Sequence, residues 1–485
     1  MKSYLLCVSI LLFGTMSLTG CASMAPKYVQ PAAPVPAVWP SGPAYKGEAA
    51  TPAGKKVADI PWREFFVDPH LQKLIALALE NNRDLRVAAL NIERFRALYQ
   101  IKRADLLPKV DANAGASFQR IAETLSGKDR AITTEQYNVG LGISSYELDM
   151  FGRVRSLKDQ ALEQFLATEQ AHRSVQISLV SQVATTYLAL VADRERLQLA
   201  NETLLNQQES YKLTQSRSDA GISSSLAVYQ AQTTVDAARV DIARYTALVA
   251  LDENALSLVV GTQLIPEQVP KTLSDSTTYL TELVPGLPSD VLLVRPDILQ
   301  AEAVLRGASA NIGAARAAFF PRITLVSNIG FGSDDLTALF KAGSFVWKFA
   351  PQITVPIFDG GSNRANQNVA ESDRDIAVAR YEQAIQIAFR EVADALAQRG
   401  TIDNQLSAQQ SLTDATASSY KLSQARFDAG VDSYLTVLDS QRSLYAARQA
   451  LISTRLARIS SQVTLYKVLG GGVDGRAEGD SKEKR

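Results

Sequence analysis

Apolar residues alternate with polar or small residues in four short segments of the chain. The first segment follows Pro108 and is apolar at every second position, namely at Val110, Ala112, Ala114, Ala116 and Phe118. An apolar period of two is typical of a β-strand with one apolar and one polar face. The alternation predicts four such strands, at about residues 108–120, 134–148, 321–333 and 344–358.

The chain also contains helical stretches far longer than those of most globular proteins. Residues 153–220 include neither Gly nor Pro, and sixty-eight residues span roughly 100 Å if they form one helix. From Val228, ten positions recur at alternating steps of three and four; nine are apolar and the other is Asp252. Such heptad spacing predicts helices that pack as coiled coils. Gly221 and Gly430, each in an Asp-Ala-Gly triplet, are predicted to form the turns that join these helices in pairs.

The second half of the chain repeats the first. Residues 210–239 and 419–448, which are related by an offset of 209, are identical at sixteen of thirty positions. At an offset of 213, the string RADLLPKV in the first half matches RAAFFPRI in the second. A repeat of this kind predicts two copies of one structural unit, at residues 71–270 and 284–470, followed by a polar tail at 471–485.

The N-terminus has the pattern of an export signal. Residues 1–20 contain one Lys and an apolar run too short for a permanent membrane span. They end in Leu-Thr-Gly before Cys21, which resembles the bacterial lipoprotein signal, in which this Cys is acylated and becomes the new N-terminus. The alternative is a signal peptide followed by a chance cysteine. Ala22, where an Asp could stand, implies sorting to the outer membrane for a lipoprotein of this type.

An extended arm is predicted between the signal peptide and the first repeat. Eight of the eighteen prolines lie between Pro26 and Pro61, among Ala, Gly and Ser, with no apolar periodicity. Such composition is typical of an extended tether. We therefore assign residues 21–70 to an acylated N-terminal arm.

Composition and motifs give no indication of catalysis. Fifty basic and fifty acidic residues leave no net charge, so no nucleic-acid footprint is indicated. The two histidines, His70 and His172, have no partners at metal-ligand spacing, and no nucleophile or phosphate-loop motif occurs. We expect no enzyme activity, no cofactor and no metal site.

The four strands raise the question of what covers their apolar faces. Four strands cannot close a barrel, and lipid does not tolerate an open sheet edge, so a membrane barrel requires several chains; three would supply twelve strands. The alternative is a soluble sandwich, but its strands usually follow one another in series, whereas these occur as two pairs about two hundred residues apart. Export, acylation and alternation together favour the membrane barrel.

Several segments closely resemble the outer membrane factor family, in its acylated OprM-like branch of TolC-type efflux channels. They include LTGC, WREFFVDPHLQKLIALALENNRDLRVAALNIE, YELDMFGRVRSLKDQALEQFLATEQ, GLPSDVLLVRPDILQAEAVL and FDAGVDSYLTVLDSQRSLYAA. The resemblance covers residues 21–472. It implies an α+β membrane protein: a homotrimer with a twelve-stranded outer-membrane β-barrel, continuous with a long α-helical coiled periplasmic barrel. It also implies a periplasmic adaptor (membrane fusion) protein and an inner-membrane resistance-nodulation-division pump as partners.

Differences between the two copies mark a candidate gate. Leu435 and Asp439 are four residues apart, hence on one helical face, just after Gly430, and the first copy has Gln230 where the second has Asp439. The resemblance implies that Leu435 and Asp439 form the narrowest rings of the tunnel and that Arg426 helps to hold the tip closed. Three Asp439 carboxylates around one axis would repel and resist ionising together. Alternatively, Leu435 packs in a helix seam and Asp439 is a solvated acid.

The leading functional hypothesis is a passive outer-membrane exit duct for multidrug efflux, lipid-anchored and spanning the outer membrane, with a periplasmic extension. A second hypothesis, compatible with the same architecture, is an exit duct for type I protein secretion. A third is a lipid-anchored coiled-coil spacer without a lumen.

Overall fold

The computed structural model describes residues 23–45, 57–127, 129–263, 272–273, 280 and 289–472. The predicted signal peptide, Cys21 and nearly all of the predicted polar tail lie outside these residues. The chain forms two compact units. Unit 1 contains Met1–Ala32, Asn91–Glu169 and Gln300–Glu382, and unit 2 contains Ala33–Leu90, Gln170–Leu299 and Gln383–Arg485. Each unit draws on both sequence repeats.

The described residues include seven helices longer than two turns. They are α1 (Pro69–Asn81), α2 (Arg83–Ala104), α3 (Arg153–Asp219), α4 (Ser225–Val260), α5 (Pro296–Ala317), α6 (Ser362–Asp428) and α7 (Tyr434–Val468). Shorter helical turns occur at Val57–Asp59, Trp62–Phe65, Glu123–Ser126, Ser289–Val294 and Leu336–Ala338.

The helix boundaries reproduce the sequence duplication. Helices α3 and α6 each contain 67 residues, and both ends of α6 lie 209 positions after those of α3. Helices α2 and α5 each contain 22 residues and are related by 213 positions. The two copies therefore share one fold as well as one sequence pattern.

The described residues of unit 1 form one four-stranded antiparallel sheet. Its strands are β1 (Asp111–Ile121), β2 (Ile132–Leu148), β3 (Arg322–Ser333) and β4 (Phe345–Thr354), paired in the order β1-β2-β3-β4. Strand β1 starts three residues later than the pattern predicts, and β4 ends four residues earlier, just before Val355 and Pro356. In the described part of the chain, β1 and β4 each pair on one side only, so both edges of the sheet are open there.

One face of the sheet is apolar across all four strands. Directly paired residues of an antiparallel sheet project from the same face. One row across the sheet consists of Ala112, Leu141, Ile329 and Trp347. The next row on this face consists of Ala114, Val139, Phe331 and Phe345.

The opposite face is polar or small. One of its rows consists of Asp111, Gly142, Asn328 and Lys348. Asn328 Nδ2 also donates a hydrogen bond to Asn113 Oδ1 at 3.1 Å. Gly140 suits this face because a Cβ there would lie 2.7 Å from the carbonyl oxygen of Ile329. The alternation thus produces the two different faces that the sequence predicts.

A β-bulge in β2 preserves the apolar face. The register between β2 and β3 shifts between Ile143 and Tyr146, so that Tyr146 pairs with Leu325 and Leu148 with Ile323. An extra residue in one strand reverses its alternation. Tyr146 and Leu148 consequently join the face that Ile143 occupies.

Among the residues that the structure describes, no protein layer covers the apolar face. Trp347 is 72% exposed, and Phe349 and Ile353 are similarly accessible. A soluble sandwich would bury these side chains against a second sheet. The exposed apolar face instead requires a covering from outside the chain.

Unit 2 has an aromatic core. Trp62, Phe65 and Phe66 are fully buried, and the Phe65 ring stacks on Tyr466 of α7 with centroids 3.9 Å apart. Asp68 accepts a hydrogen bond from the His70 amide, which caps α1. The last part of the predicted arm, from Val57 onward, therefore belongs to a packed core.

The earlier part of the arm lies against helices. In unit 1 the Tyr28 hydroxyl donates to Glu302 at 3.0 Å, and Gln30 donates to the Tyr381 hydroxyl at 3.0 Å. Gly313 of α5 allows a close approach, because a Cβ there would lie 2.6 Å from the backbone nitrogen of Ala25. Residues 23–41 form neither helix nor strand, and these contacts seat them on α5 and α6.

Candidate channel gate

The two long helix pairs are joined by turns of the same geometry. Gly221 and Gly430 have φ angles of 69° and 72°, in the left-handed region that glycine adopts without a Cβ clash. The amide of Ile222 donates to the Arg217 carbonyl at 2.8 Å, and that of Val431 donates to the Arg426 carbonyl at 2.9 Å. This is the Schellman pattern, which satisfies the last carbonyls of a helix. The predicted glycine turns are confirmed.

Arg426 closes the second turn with an ion pair. Its Nε and Nη2 atoms donate to the two carboxylate oxygens of Asp432 at 2.6 and 2.9 Å. The guanidinium thereby lowers the pKa of the Asp432 carboxyl below its usual value. The pair connects the end of α6 to the residues that precede α7, across Gly430.

The corresponding residue of the first copy, Arg217, has a different partner. Ser223 stands where the second copy has Asp432. The Arg217 guanidinium lies over the ring of Phe427 instead, 4.8 Å from its centroid. Arg217 therefore joins the two turns to each other, whereas Arg426 acts within one turn.

An apolar cluster beside the turns also contains residues of both copies. Its buried members are Ala231, Tyr434, Val437 and Leu438, and the side chains packed against it are Tyr211, Ala227, Tyr420 and Phe427. The Tyr434 hydroxyl lies 2.8 Å from Ser210 Oγ. We call this set the tip cluster. It holds the α3–α4 and α6–α7 pairs together within one chain.

Leu435 and Asp439 are exposed residues of α7 outside the tip cluster. Leu435 is 48% exposed and the Asp439 side chain 66% exposed. The Arg442 guanidinium lies 4.0 Å from Asp439, on the same helix. Leu435 is therefore not buried in a seam between helices of the same chain. The role of Leu435, Asp439 and Arg426 in a gate stays a prediction.

The sequence reasoning missed the tip cluster and the Arg217–Phe427 contact. A signal was present: at an offset of 209, Phe427 and Tyr434 replace Ser218 and Ser225. Two aromatic residues that replace two serines beside a turn indicate a contact that one copy lacks.

A protein-family comparison matches both halves of the chain. The model described as "Outer membrane efflux protein" matches residues 74–262 and 287–471. The two matches correspond to the two copies of the repeat.

Curated relatives and a solved structure agree with this match. The chain is 50% identical over 469 residues to the toluene efflux pump outer membrane protein TtgI of Pseudomonas putida, covering 96% of this chain and 98% of the relative. It is 49% identical over 458 residues to the antibiotic efflux pump outer membrane protein ArpC of Pseudomonas putida, covering 94% of each. The open state of the MtrE outer membrane channel of Neisseria gonorrhoeae superposes with a TM-score of 0.82 at 38% identity, covering 93% of this chain and 98% of that chain.

These relatives are channel proteins and outer-membrane components of pumps, so a coiled-coil spacer without a lumen does not fit. The superposition with MtrE covers 93% of the chain, so the shared fold includes most of its helices and strands. The chain belongs to the outer membrane efflux protein family and is the outer-membrane exit duct of an efflux system.

Proposed function

We propose that three copies of this chain close one twelve-stranded barrel and conduct drugs and solvents passively out of the cell. The observation that carries the proposal is the apolar face of the sheet, which crosses all four strands between two open edges. An open edge in hydrocarbon leaves backbone amides and carbonyls unsatisfied, at several kcal/mol for each group. Pairing β1 of one chain with β4 of the next removes both edges.

The polar face supports a water-filled lumen. Asp111, Asn328 and Lys348 form one row there, and small residues such as Gly142 leave space between them. Acidic and basic groups on one wall favour neither sign of cargo strongly. Selectivity for drugs therefore belongs to the pump, and the duct supplies the exit.

We assign the partners from chemistry and relatives. An exit duct without a nucleotide or metal motif needs an energised inner-membrane pump, for which a resistance-nodulation-division pump and a periplasmic adaptor are the proposed partners. Relatives are named for toluene and antibiotic efflux, which supports small apolar or amphipathic cargo over secreted proteins.

We also propose that Cys21 is acylated and anchors the arm in the outer membrane. The sequence Leu-Thr-Gly before Cys21 supports this assignment. The first described residues of the arm are part of unit 1, where Ser23 Oγ is 3.5 Å from Ser156 Oγ and Ala25 approaches Gly313. A lipid on Cys21 would thus attach near the unit that contains the sheet.

The gate proposal concerns the tip. Three copies of Leu435 and Asp439 would narrow the lumen, and Arg426 would keep the second turn rigid through Asp432. Opening requires the α6–α7 pair to move away from the α3–α4 pair. Such a movement separates Arg217 from Phe427 and Tyr434 from Ser210, so these contacts favour the closed state.

Complementation tests the function. The gene is expressed in a strain that lacks its own efflux exit duct but retains a resistance-nodulation-division pump and adaptor. We expect recovered tolerance to toluene and antibiotics, and conducting trimers after purification. Recovered secretion of a type I substrate without any gain in drug tolerance would favour the protein-secretion alternative.

A further inference from the structure

The α4 seam contains one acid whose hydrogen bonding is incomplete. Asp252 is the exception among ten seam positions, and its Oδ2 atom is buried with no donor reaching it from the residues that the structure describes. The neighbouring carboxyl is Asp193 of α3, which is 8% exposed. Ionised carboxylates only accept hydrogen bonds, so two of them cannot satisfy each other.

The charges around Asp252 do not balance when both acids are ionised. Arg196 of α3 pairs with Asp193, and its Nη2 atom donates to Ser453 Oγ of α7 at 2.9 Å. One guanidinium therefore faces two carboxyl groups at a junction of three helices. We call Asp193, Asp252, Arg196 and Ser453 the acid junction.

The surrounding charged groups do not supply the missing positive charge. Arg194 pairs with Glu253 at 2.8 Å. Arg455 of α7 lies 3.9 Å from Glu195 of α3. Helix α1 also packs against α4, and its titratable side chains are all solvent-exposed: His70, Lys73 and Glu80.

A bound proton resolves the imbalance. Burial and then the charge of Asp193 raise the pKa of Asp252 to about 6, and Arg196 opposes this only in part. A protonated Asp252 donates its O–H to the Asp193 carboxylate, which gives both groups a partner.

We propose that Asp193 and Asp252 share one proton. The shared proton stabilises the contact of α4 with α3 and, through Arg196, the contact with α7. The acid junction is therefore stable at acidic pH and weakened near neutral pH. When the proton leaves, the two carboxylates repel each other and compete for Arg196. This competition weakens the hydrogen bond from Arg196 to Ser453. Helix α7 also carries Leu435 and Asp439, so any effect of the junction on the gate rests on the proposed function. The existence of the shared proton does not depend on that function.

The direction of the pH effect follows from proton linkage. The unfolded chain loses the Asp252 proton near 3.8, while the folded chain keeps it to about pH 6. The proton's contribution to the stability of the folded chain is therefore complete below pH 3.8. It falls as the pH rises from 3.8 to about 6 and is absent above that range.

Hydrogen exchange of the purified trimer between pH 5 and 7 tests the proposal independently of conduction. After correction for the intrinsic chemical rate, amides around residues 193, 252 and 453 should open about tenfold more often at pH 7 than at pH 5, as expected for one group of this pKa. In Asp252→Asn the side-chain amide of the new Asn donates to Asp193 at every pH. The corrected exchange rates of this variant should therefore not change between pH 5 and pH 7. Asp236→Asn, which removes an exposed acid of the same helix, should behave like the native protein.

A second readout covers a variant that fails to assemble. Infrared difference spectra of the native trimer should show a protonated-carboxyl band that disappears between pH 5 and 7 and is absent in Asp193→Asn, whose Asp252 titrates lower. A pH-dependent opening that persists in Asp252→Asn, or a native trimer without the band at pH 5, would overturn the proposal.

Discussion

The Arg217 guanidinium lies over the Phe427 ring, 4.8 Å from its centroid, and so joins the turns of the two helix pairs within one chain. The two residues occupy neighbouring positions of the two copies, since Phe427 corresponds to Ser218. Each copy thus supplies one turn, and Phe427, at the position of Ser218, supplies a contact between them.

This contact has a measurable coupling energy. A cation over an exposed aromatic ring contributes about 0.5–1 kcal/mol. We expect a coupling energy of this size from a double-mutant cycle of Arg217→Ala and Phe427→Ala. The measured quantity is the free energy of opening of the backbone amides near the two turns, obtained from hydrogen exchange. Arg217→Ala combined with Leu422→Ala, an exposed residue of α6, is the control and should be additive. Additivity in both cycles would show that the contact contributes nothing.

The Arg426–Asp432 pair predicts a pH dependence of the second turn. Asp432 has a pKa lowered below its unfolded value of 3.8 by Arg426. The contribution of the Arg426–Asp432 pair to the stability of the turn is complete above about pH 4. It is lost as the pH falls through the lowered pKa of Asp432. Limited proteolysis should therefore cleave the turn faster in Asp432→Asn than in the native protein at pH 7. Asp428→Asn, which removes an acid that accepts only from Gln424 among the described side-chain contacts, should change the cleavage rate little.

The gate assignment predicts an asymmetry between the two copies. Leu435→Ala with Asp439→Ala should raise the single-channel conductance in planar bilayers, because both constricting side chains are truncated. The matched control is Leu226→Ala with Gln230→Ala at the equivalent positions of the first copy, which should leave conductance near the native value. Equal conductance of the two double variants would refute the assignment.

The two faces of the sheet predict opposite tolerance to charge. Ile329 lies in an apolar row, and its neighbour Asn328 lies in a polar row. An Arg on the lipid face near the membrane centre costs about 2–4 kcal/mol. Ile329→Arg should therefore reduce the amount of assembled trimer in the outer-membrane fraction, whereas Asn328→Arg should assemble normally. Equal assembly of both variants would contradict the placement of lipid on the apolar face.

The sequence predicts the regular elements well because their signals are local. Alternation identifies the strands, and the absence of Gly and Pro identifies the 67-residue helices. The bulge between Ile143 and Tyr146 was not predictable, since Ser144 and Ser145 carry no sign of an extra residue. Register depends on the partner strand, which lies far away in the sequence.

The side-chain partners at the functional positions were harder to predict. Arg426 was identified by resemblance, but its partner Asp432 emerged only from the fold. Asp252 was conspicuous as an acid in an apolar seam, yet Asp193 lies 59 residues earlier on another helix. Burial and distance, which decide its protonation, are properties of the packed helices.

Cysteine cross-linking between edge strands tests most directly whether several chains share one barrel. If the signal peptide with Cys7 is removed and Cys21 is acylated, as proposed, the mature chain offers no competing thiol. Within one chain, β2 and β3 separate β1 from β4 by about 14 Å, too far for a disulfide. Ala114→Cys is combined in turn with Phe345→Cys, Trp347→Cys and Phe349→Cys to sample the unknown register. We predict that at least one cysteine pair yields disulfide-linked dimers and trimers and no larger species. Monomers alone from every pair would contradict the shared barrel.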